Sequence, residues 1–476
     1  MKRYILILLL IIFLHYPKVY GVSNRIYTED GTNYNDIREA LDSVPPYTTI
    51  YIVGSFRDVN LVIDKPIRLI GAGYAELDGG LYGTIITINN THNVYLENII
   101  IKNSGRVYST EDSGIKIINS HNISIVNVSI ENTFFGILIK ESNSISIWNS
   151  TIIGIKDFYL SDRMHGIYTW YSRRVSIINN FFEYTKDGVY NDHNYDTIIL
   201  NNRFRYGRYG IHLMYSRNYT IENNTIEGYV AGMALMYSED VVVRFNNIYF
   251  NRVGGIGEGI FIPETDNVLV EHNWVVGNVY GLNIRYIPYR PGKYAIIRYN
   301  VIAFNYIGIS VDSDSSAYIY GNDFIENIQN IRYLGYRRGG TRWYNESIYM
   351  GNYWSDLVTY DLNDDGYIDI PYTSNDPLYQ YFIHHKELSI FYYSPSYFIL
   401  NIIFRYSFTS RLEGMVLDPY PSRNPINIRV LRYRVYMENI PYALGTSLIS
   451  LIIYGYGVRY ARGKRGRKGV QRIQSS

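Results

Sequence analysis

Between residues 87 and 345 the chain alternates apolar and polar positions in short β-branched segments, and the alternation restarts at a near-constant interval. Glycine marks each restart, at Gly114, Gly136, Gly166, Gly188, Gly210, Gly232, Gly254, Gly281 and Gly308. Most intervals are 22 residues, and those of 30 and 27 read as 22 plus a short insertion. Text recurs inside the period: Ile-His-Leu-Met-Tyr-Ser at 211–216, Met-Ala-Leu-Met-Tyr-Ser at 233–238 and Ile-Tyr-Thr-Trp-Tyr-Ser at 167–172. Such a ruler predicts an all-β fold, a right-handed parallel β-helix with one coil per repeat. Ile211, Leu213 and their equivalents are expected to point inward and stack on the coils above and below. Each ruler glycine is expected in a turn conformation closed to other residues, with Asn330 taking its place in the next coil. Asn180, Asn202, Asn224, Asn246, Asn273, Asn300 and Asn322 fall eight residues before these restarts. They are expected to pass amide hydrogen bonds from coil to coil. About ten coils at ~4.8 Å each give a rod on the order of 50 Å long.

The ends of the array need covers, because open strand edges invite aggregation. Asn35 and Asp36 are suited to capping a short helix whose Ile37, Ala40, Leu41 and Val44 share one face. Strands are predicted at 49–53, 61–63 and 67–70. The layout is then an N-terminal cap with first coils over 22–86, repeats over 87–345 and a C-terminal cap over 346–405. Lys2-Arg3, the apolar run to Leu14 and the small residues Val19 and Gly21 have the order of a secretory signal over 1–21. Residues 440–458 carry no charge and are long enough for a transmembrane helix, with a juxtamembrane segment over 406–439. The basic tail 459–476 follows, as on a cytoplasmic side. An uncleaved N-terminal anchor, and a buried hairpin in place of the C-terminal span, are the alternatives. Either way the body is expected outside the cytoplasmic membrane, in a periplasm-like space or at the cell surface.

Composition narrows the chemistry. With no Cys there is no disulfide framework, thiolate metal site or cysteine nucleophile. The net charge of +2 conceals a division. Seven Lys/Arg lie between Arg459 and Arg472, and Lys2, Arg3 and Lys18 lie near the start. The remainder holds 35 basic against 43 acidic residues. A nucleic-acid protein concentrates positive charge on its folded body, so polynucleotide is disfavoured as a partner.

Two outward columns carry candidate chemistry. Two residues past each glycine stand Tyr168, Tyr190, His212 and Ala234; four past stand Trp170, Asp192, Met214 and Met236. Met214 and Met236 are expected ~4.8 Å apart on adjacent coils, with His212 about 7 Å along the strand and His165 and His193 near the same face. Thioether sulfur with imidazole suits Cu(I). Covered packing and a protein-binding surface are the other readings of exposed methionines. A second candidate is Asp361, Asn363, Asp365, the Tyr367 carbonyl and Asp369, oxygen ligands at positions 1, 3, 5, 7 and 9 of a calcium-type loop with Gly366 at position 6. Tyr372 stands at position 12 where the bidentate Glu belongs, so a structural calcium site and a plain acidic turn both fit. For glycoside cleavage, Asp312 with Asp314, or Asp187 and Asp192, supply carboxylates. None has a paired Arg, Lys or His at a spacing that forces a catalytic reading, which favours solvated turn acids and a chain that is not an enzyme.

The two Leu-Met-Tyr-Ser coils resemble the nitrous oxide reductase maturation family NosD. So do Asp64-Lys-Pro-Ile-Arg-Leu-Ile-Gly71, Asn103-Ser-Gly105 with Asp112-Ser-Gly-Ile115, and Gly351-Asn-Tyr-Trp-Ser-Asp356 leading into the Asp361 loop. The resemblance runs in order from about residue 35 to Pro395, and everything beyond about 405 departs from it. It implies an extracytoplasmic β-helix that works with an ABC transporter while the copper–sulfur centre of a client enzyme is assembled. It also implies copper as a ligand, and places interest on His212, Met214 and Met236. The second reading is a cell-surface protein that binds or cleaves carbohydrate; the third is a structural envelope protein.

Overall fold

The computed structural model describes residues 23–334, 340–357, 361–373 and 416–428, together with residues 396, 399 and 400. The expected signal segment, transmembrane span and basic tail lie outside the described residues. Among the described residues no helix is long and apolar enough to cross a membrane.

The repeat winds into a right-handed parallel β-helix of three strand faces. On one face Phe135–Lys140, Ile167–Trp170, Asp187–Asp192 and Arg203–Met214 pair in parallel, each with the strand one coil on. The second face stacks His121–Val126, Asn143–Trp148 and Arg173–Ile178. The third stacks Ser129–Glu131, Thr151–Ile153 and Phe181–Glu183. Alternation sends every second side chain inward, and the register puts like on like: Val189 against Ile211 and then Met233, Ile123 against Ile145 and then Val175. These inward residues are fully buried, each stabilising the rod by ~1.5–3 kcal/mol relative to exposure.

The ruler glycines serve a different purpose from the one expected. Apart from Gly254, they lie in strands or at a strand's entrance and do not adopt positive φ. A Cβ on Gly210 would stand 2.6 Å from both the Gly232 carbonyl oxygen and Ile226 Cγ2, so close packing of coils requires the hydrogen. The positive-φ corners instead carry Asn and aromatic residues, such as Asn201, Tyr215 and Tyr237. The ruler also shifts once: Met233 pairs with Ile260, which aligns Gly232 with Gly259. Gly254 belongs to an inserted turn, with φ of 70°.

The asparagine column forms as predicted. Each backbone N–H donates to the side-chain oxygen one coil on, from Asn180 to Asn202 at 2.8 Å and onward through Asn224, Asn246, Asn273, Asn300 and Asn322. Each side-chain amide returns a bond to a buried carbonyl, as Asn224 does to Ile199 at 2.8 Å. Two further ladders run beside it. One passes through Asn251, Asn278, Asn305 and Asn327, and the other through Ser120, Ser142, Ser172, Asn194, Ser216 and Ser238.

Both covers are built from the same logic. Helix α1 (Ile37–Ser43) is capped by Asp36, which accepts from the Arg38 N–H at 2.6 Å, and buries Ile37, Ala40 and Leu41. Strands Thr49–Phe56, Leu61–Ile63 and Arg68–Asp78 follow. At the far end Asn322 donates to Asn352, whose N–H donates to Asp418 at 2.7 Å. Trp354 Nε1 reaches the same carboxylate oxygen at 2.9 Å. Burial pushes Asp418 up to about 6 against the pull of these donors.

Two outcomes follow for stability. Asn224→Ala strips an acceptor from the buried Asn202 N–H and a donor from Ile199, at ~1–3 kcal/mol for each unsatisfied group. The guanidinium chloride midpoint should fall clearly, and by more than in Asn218→Ala, which loses one exposed hydrogen bond and must hold Ala at φ of 61°. The raised Asp418 means the folded state holds its proton more tightly than the unfolded state. That contribution is complete below the unfolded value near 3.8 and is lost as pH rises through about 6. In Asp418→Asn this part of the pH dependence of thermal unfolding should vanish.

Candidate functional site: a buried carboxylate between two histidines

The face bearing Asp187–Asp192 and Arg203–Met214 carries the most concentrated chemistry among the described residues. Its parallel register sets Tyr168 over Tyr190 and Tyr190 over His212, and sets Asp192 over Met214 and Met214 over Met236. Asp187 stands at the entrance of its strand, one residue before Gly188, with no exposed side-chain surface. Arg208, a coil further on, grips it with both arms of the guanidinium, Nε to Oδ1 at 2.8 Å and Nη2 to Oδ2 at 2.7 Å. His212 Nδ1 lies 3.0 Å from Oδ2. His165, from the preceding coil, brings its Nδ1 to 3.3 Å from the same oxygen but makes no hydrogen bond there.

Aromatic rings wall this cluster. Tyr168, Tyr190 and His212 stack face to face with centroids 4.9 and 4.4 Å apart. Tyr209 meets His212 edge-on at 4.9 Å and lies beneath the Arg208 guanidinium. The Tyr190 hydroxyl donates to Met214 Sδ at 3.4 Å.

Burial disfavours the charged form of Asp187, yet His165, His212 and Arg208 together hold its carboxyl well below the usual range. Burial pulls His165 down, against the pull of Asp187, so its ring is neutral near pH 7. An ionised carboxylate only accepts hydrogen bonds, so His212 donates from Nδ1. In the neutral ring the lone pair then sits on Nε2, which is buried and has no hydrogen-bond partner. A carboxylate that fixes one imidazole nitrogen and frees the other is the arrangement found behind metal-ligating histidines.

The sequence-predicted residues divide. Met214 and Met236 occupy adjacent coils as expected and are half-buried. His212 points away from the rod's interior but is covered by the rings around it, only 5% exposed. Trp170 heads the column of Asp192 and Met214, beneath Lys140. His193 belongs elsewhere: it pairs with Asp192 at 2.6 Å and stacks in a corner ladder of Tyr171, His193, Tyr215 and Tyr237. Asp187 overturns its expectation as a solvated turn acid, for it is the most heavily partnered carboxylate of this face. Asp312 is a scaffold residue whose oxygens accept from Ser315 and the Tyr286 N–H. Asp361, Asn363, Asp365, Tyr367 and Asp369 form a separate loop past the last described coil. Among the described residues no three His, Asp or Glu side chains are gathered into a metal cluster.

The fold and this face define a β-helical protein with a preorganised carboxylate–histidine pair beside two thioethers. Residues 149–359, which contain the whole cluster, match the family model described as "Periplasmic copper-binding protein (NosD)". That stretch of the chain is similar to the NosD family. The chain is 32% identical over 123 residues to the "Probable ABC transporter binding protein NosD" of Pseudomonas aeruginosa, a match covering 26% of this chain. The matched segment spans 28% of that relative's length. Among solved structures, the A-module of the Azotobacter vinelandii mannuronan C-5 epimerase AlgE6 is similar, with TM-score 0.48 and 15% identity over 64% of this chain and 92% of that one. The N-terminal fragment of bacteriophage Phi29 gene product 12 is similar at TM-score 0.46 and 16% identity, over 72% and 74% of the two chains.

Asp187→Ala should cost ~1–3 kcal/mol by removing the acceptor shared by the half-buried Arg208 and the covered His212. The depressed His165 favours the folded state fully above its unfolded value near 6.5, and that stability is lost as pH falls below it. Thermal melts of wild type and His165→Gln between pH 7.5 and 5 should therefore converge on acidification.

Proposed function

We propose that the chain is an exported, non-enzymatic maturation factor that works with an ABC transporter. Its client is nitrous oxide reductase or a related exported copper enzyme whose copper–sulfur centre is being assembled. The match to the NosD model supports the class, and the copper-binding description of that family and the transporter-binding description of the Pseudomonas relative support copper and a transporter. The observation that carries the reading to particular residues is the unpartnered, buried Nε2 of His212, oriented by Asp187 and flanked along its strand by Met214. Copper is cargo in this reading. His212 Nε2 with the sulfurs of Met214 and Met236 holds Cu(I), because imidazole and thioether together select a soft monovalent ion. Releasing Met214 from the Tyr190 hydroxyl frees its sulfur for the metal. The apolar segment 440–458 anchors the body to the membrane that houses the transporter.

Under reducing conditions, titration with Cu(I) against a chromophoric competing chelator should give one tight site per chain. His212→Ala/Met214→Ala/Met236→Ala should weaken it by at least about a hundredfold, given loss of the full donor set. Equal affinity in the two proteins would remove copper from these residues.

A further inference from the structure

Past the last described coil, the chain turns through Asp361-Leu-Asn-Asp-Asp-Gly-Tyr-Ile-Asp369, beyond the end of the family match at residue 359. We propose that this loop binds one calcium ion and thereby fastens the C-terminal cover of the rod. Asp361, Asn363, Asp365, the Tyr367 carbonyl and Asp369 occupy positions 1, 3, 5, 7 and 9, the spacing that brings oxygen ligands around a single cation. Loop amides already hold one oxygen of several of these groups: Gly366 N–H on Asp361 Oδ2 at 3.0 Å, Asp365 N–H on Asn363 at 3.0 Å, Tyr367 N–H on Asp365 at 2.9 Å and Leu362 N–H on Asp369 at 2.6 Å.

The pointer to a ligand is separate from that turn geometry. The Asp361 side chain has no exposed surface, although Asn363, Asp364 and Asp365 beside it are exposed. Its Oδ2 accepts across the loop from the Gly366 N–H and from Arg423, while its Oδ1 is buried with no hydrogen-bond partner. A buried carboxylate oxygen without a donor is costly unless a cation meets it. The loop's charge is also unbalanced. Asp361, Asp364, Asp365 and Asp369 face Arg423, which reaches Asp364 at 2.8 Å and Asp361 Oδ2 at 3.4 Å. It is the one cation paired with them among the described residues. An all-oxygen set on a pliable loop suits calcium better than copper or zinc, and better than the smaller, rigidly octahedral magnesium.

The site is structural in kind. Position 12 is Tyr372, which stacks on Trp354 with centroids 4.0 Å apart and is committed to the cover, so water completes the coordination. Among the described residues no helix flanks the loop. The loop is clasped instead to the segment that carries Asp418: Ile368 N–H donates to Pro421 at 2.8 Å and Arg423 N–H to Gly366 at 3.1 Å. Calcium here ties the end of the asparagine ladder shut.

The test uses the full chain stripped with a chelator, then titrated with calcium by calorimetry and with terbium, excited through the nearby tyrosines. One saturable site per chain is expected, with affinity on the order of 10⁻⁴ M as in extracellular modules, together with a rise in melting temperature. Asp361→Asn and Asp369→Asn should each weaken binding at least about tenfold by removing ligand charge. Asp364→Asn, at a non-ligand position, should retain it. Should Asp361→Asn fail to fold, Asp369→Asn and the wild-type titration still decide the matter. Absence of saturable binding by the wild type, or equal weakening in Asp364→Asn, overturns the proposal. Neither outcome bears on His212 and copper.

Discussion

A parallel β-helix depends on giving every buried corner amide an acceptor one coil away. Strand ladders satisfy the flat faces, but the chain must turn three times per coil, and at each turn main-chain groups would be left bare. Here three columns of side chains, two dominated by asparagine and one by serine, meet that demand. An asparagine accepts at its carbonyl oxygen and donates from its amide, so one residue type can pass the pattern along indefinitely. The same requirement explains why coil length is nearly constant. A coil that gained a residue within its three strand faces would move every column out of line, so insertions such as those at 154–165 and 251–257 bulge out at corners.

That constancy also makes the site. Arg208, His212 and His165 lie 21, 25 and 22 residues from Asp187 along the chain, about one coil each. No local segment brings them together; only the pitch does. The cluster gains its electrostatic character from the same packing, because stacked tyrosine rings exclude water from Asp187 while Arg208 keeps it ionised. The result is a histidine whose orientation is fixed by the rod before any ligand arrives, which reduces the ordering cost of binding.

Much of the architecture was legible because its signals are periodic. The 22-residue ruler, the asparagine column, the Met214–Met236 adjacency and the capping helix at Asp36 all come from residue types that repeat or cap for simple reasons. What escaped were contacts that cross columns. Asp187 precedes its glycine while His212 follows the next one by two, and columns read one at a time never place them together. The glycines misled in a different way: sequence shows that a side chain is absent, not whether backbone torsion or a neighbouring carbonyl forbids it. Gly254 imitated the ruler because a five-residue insertion happened to carry a glycine at the right count, and only strand pairing reveals Gly259 as the true equivalent.

The two ends of the array face unequal problems. At the start, α1 lays an apolar face over the first coil, and Arg25–Thr28 pairs antiparallel along the edge of Thr49–Phe56. At the finish, the ladder arrives at Asn352 with a polar demand still open, and a helix would leave it unmet. Asp418 answers it by accepting from Asn352, Trp354 and Tyr420 at once, which places a carboxylate where burial resists its charge. A cover built this way is held by directional bonds from a segment some sixty residues further along the chain, and such closure is expensive in chain entropy. The Asp361 loop lies between those two partners in sequence and is bonded to the Asp418 segment on one side and, through Tyr372, to Trp354 on the other. Ordering that loop shortens the free chain between the ladder's last rung and its acceptor, so the most acidic stretch of the cover stands where a rigid joint stabilises the rod most.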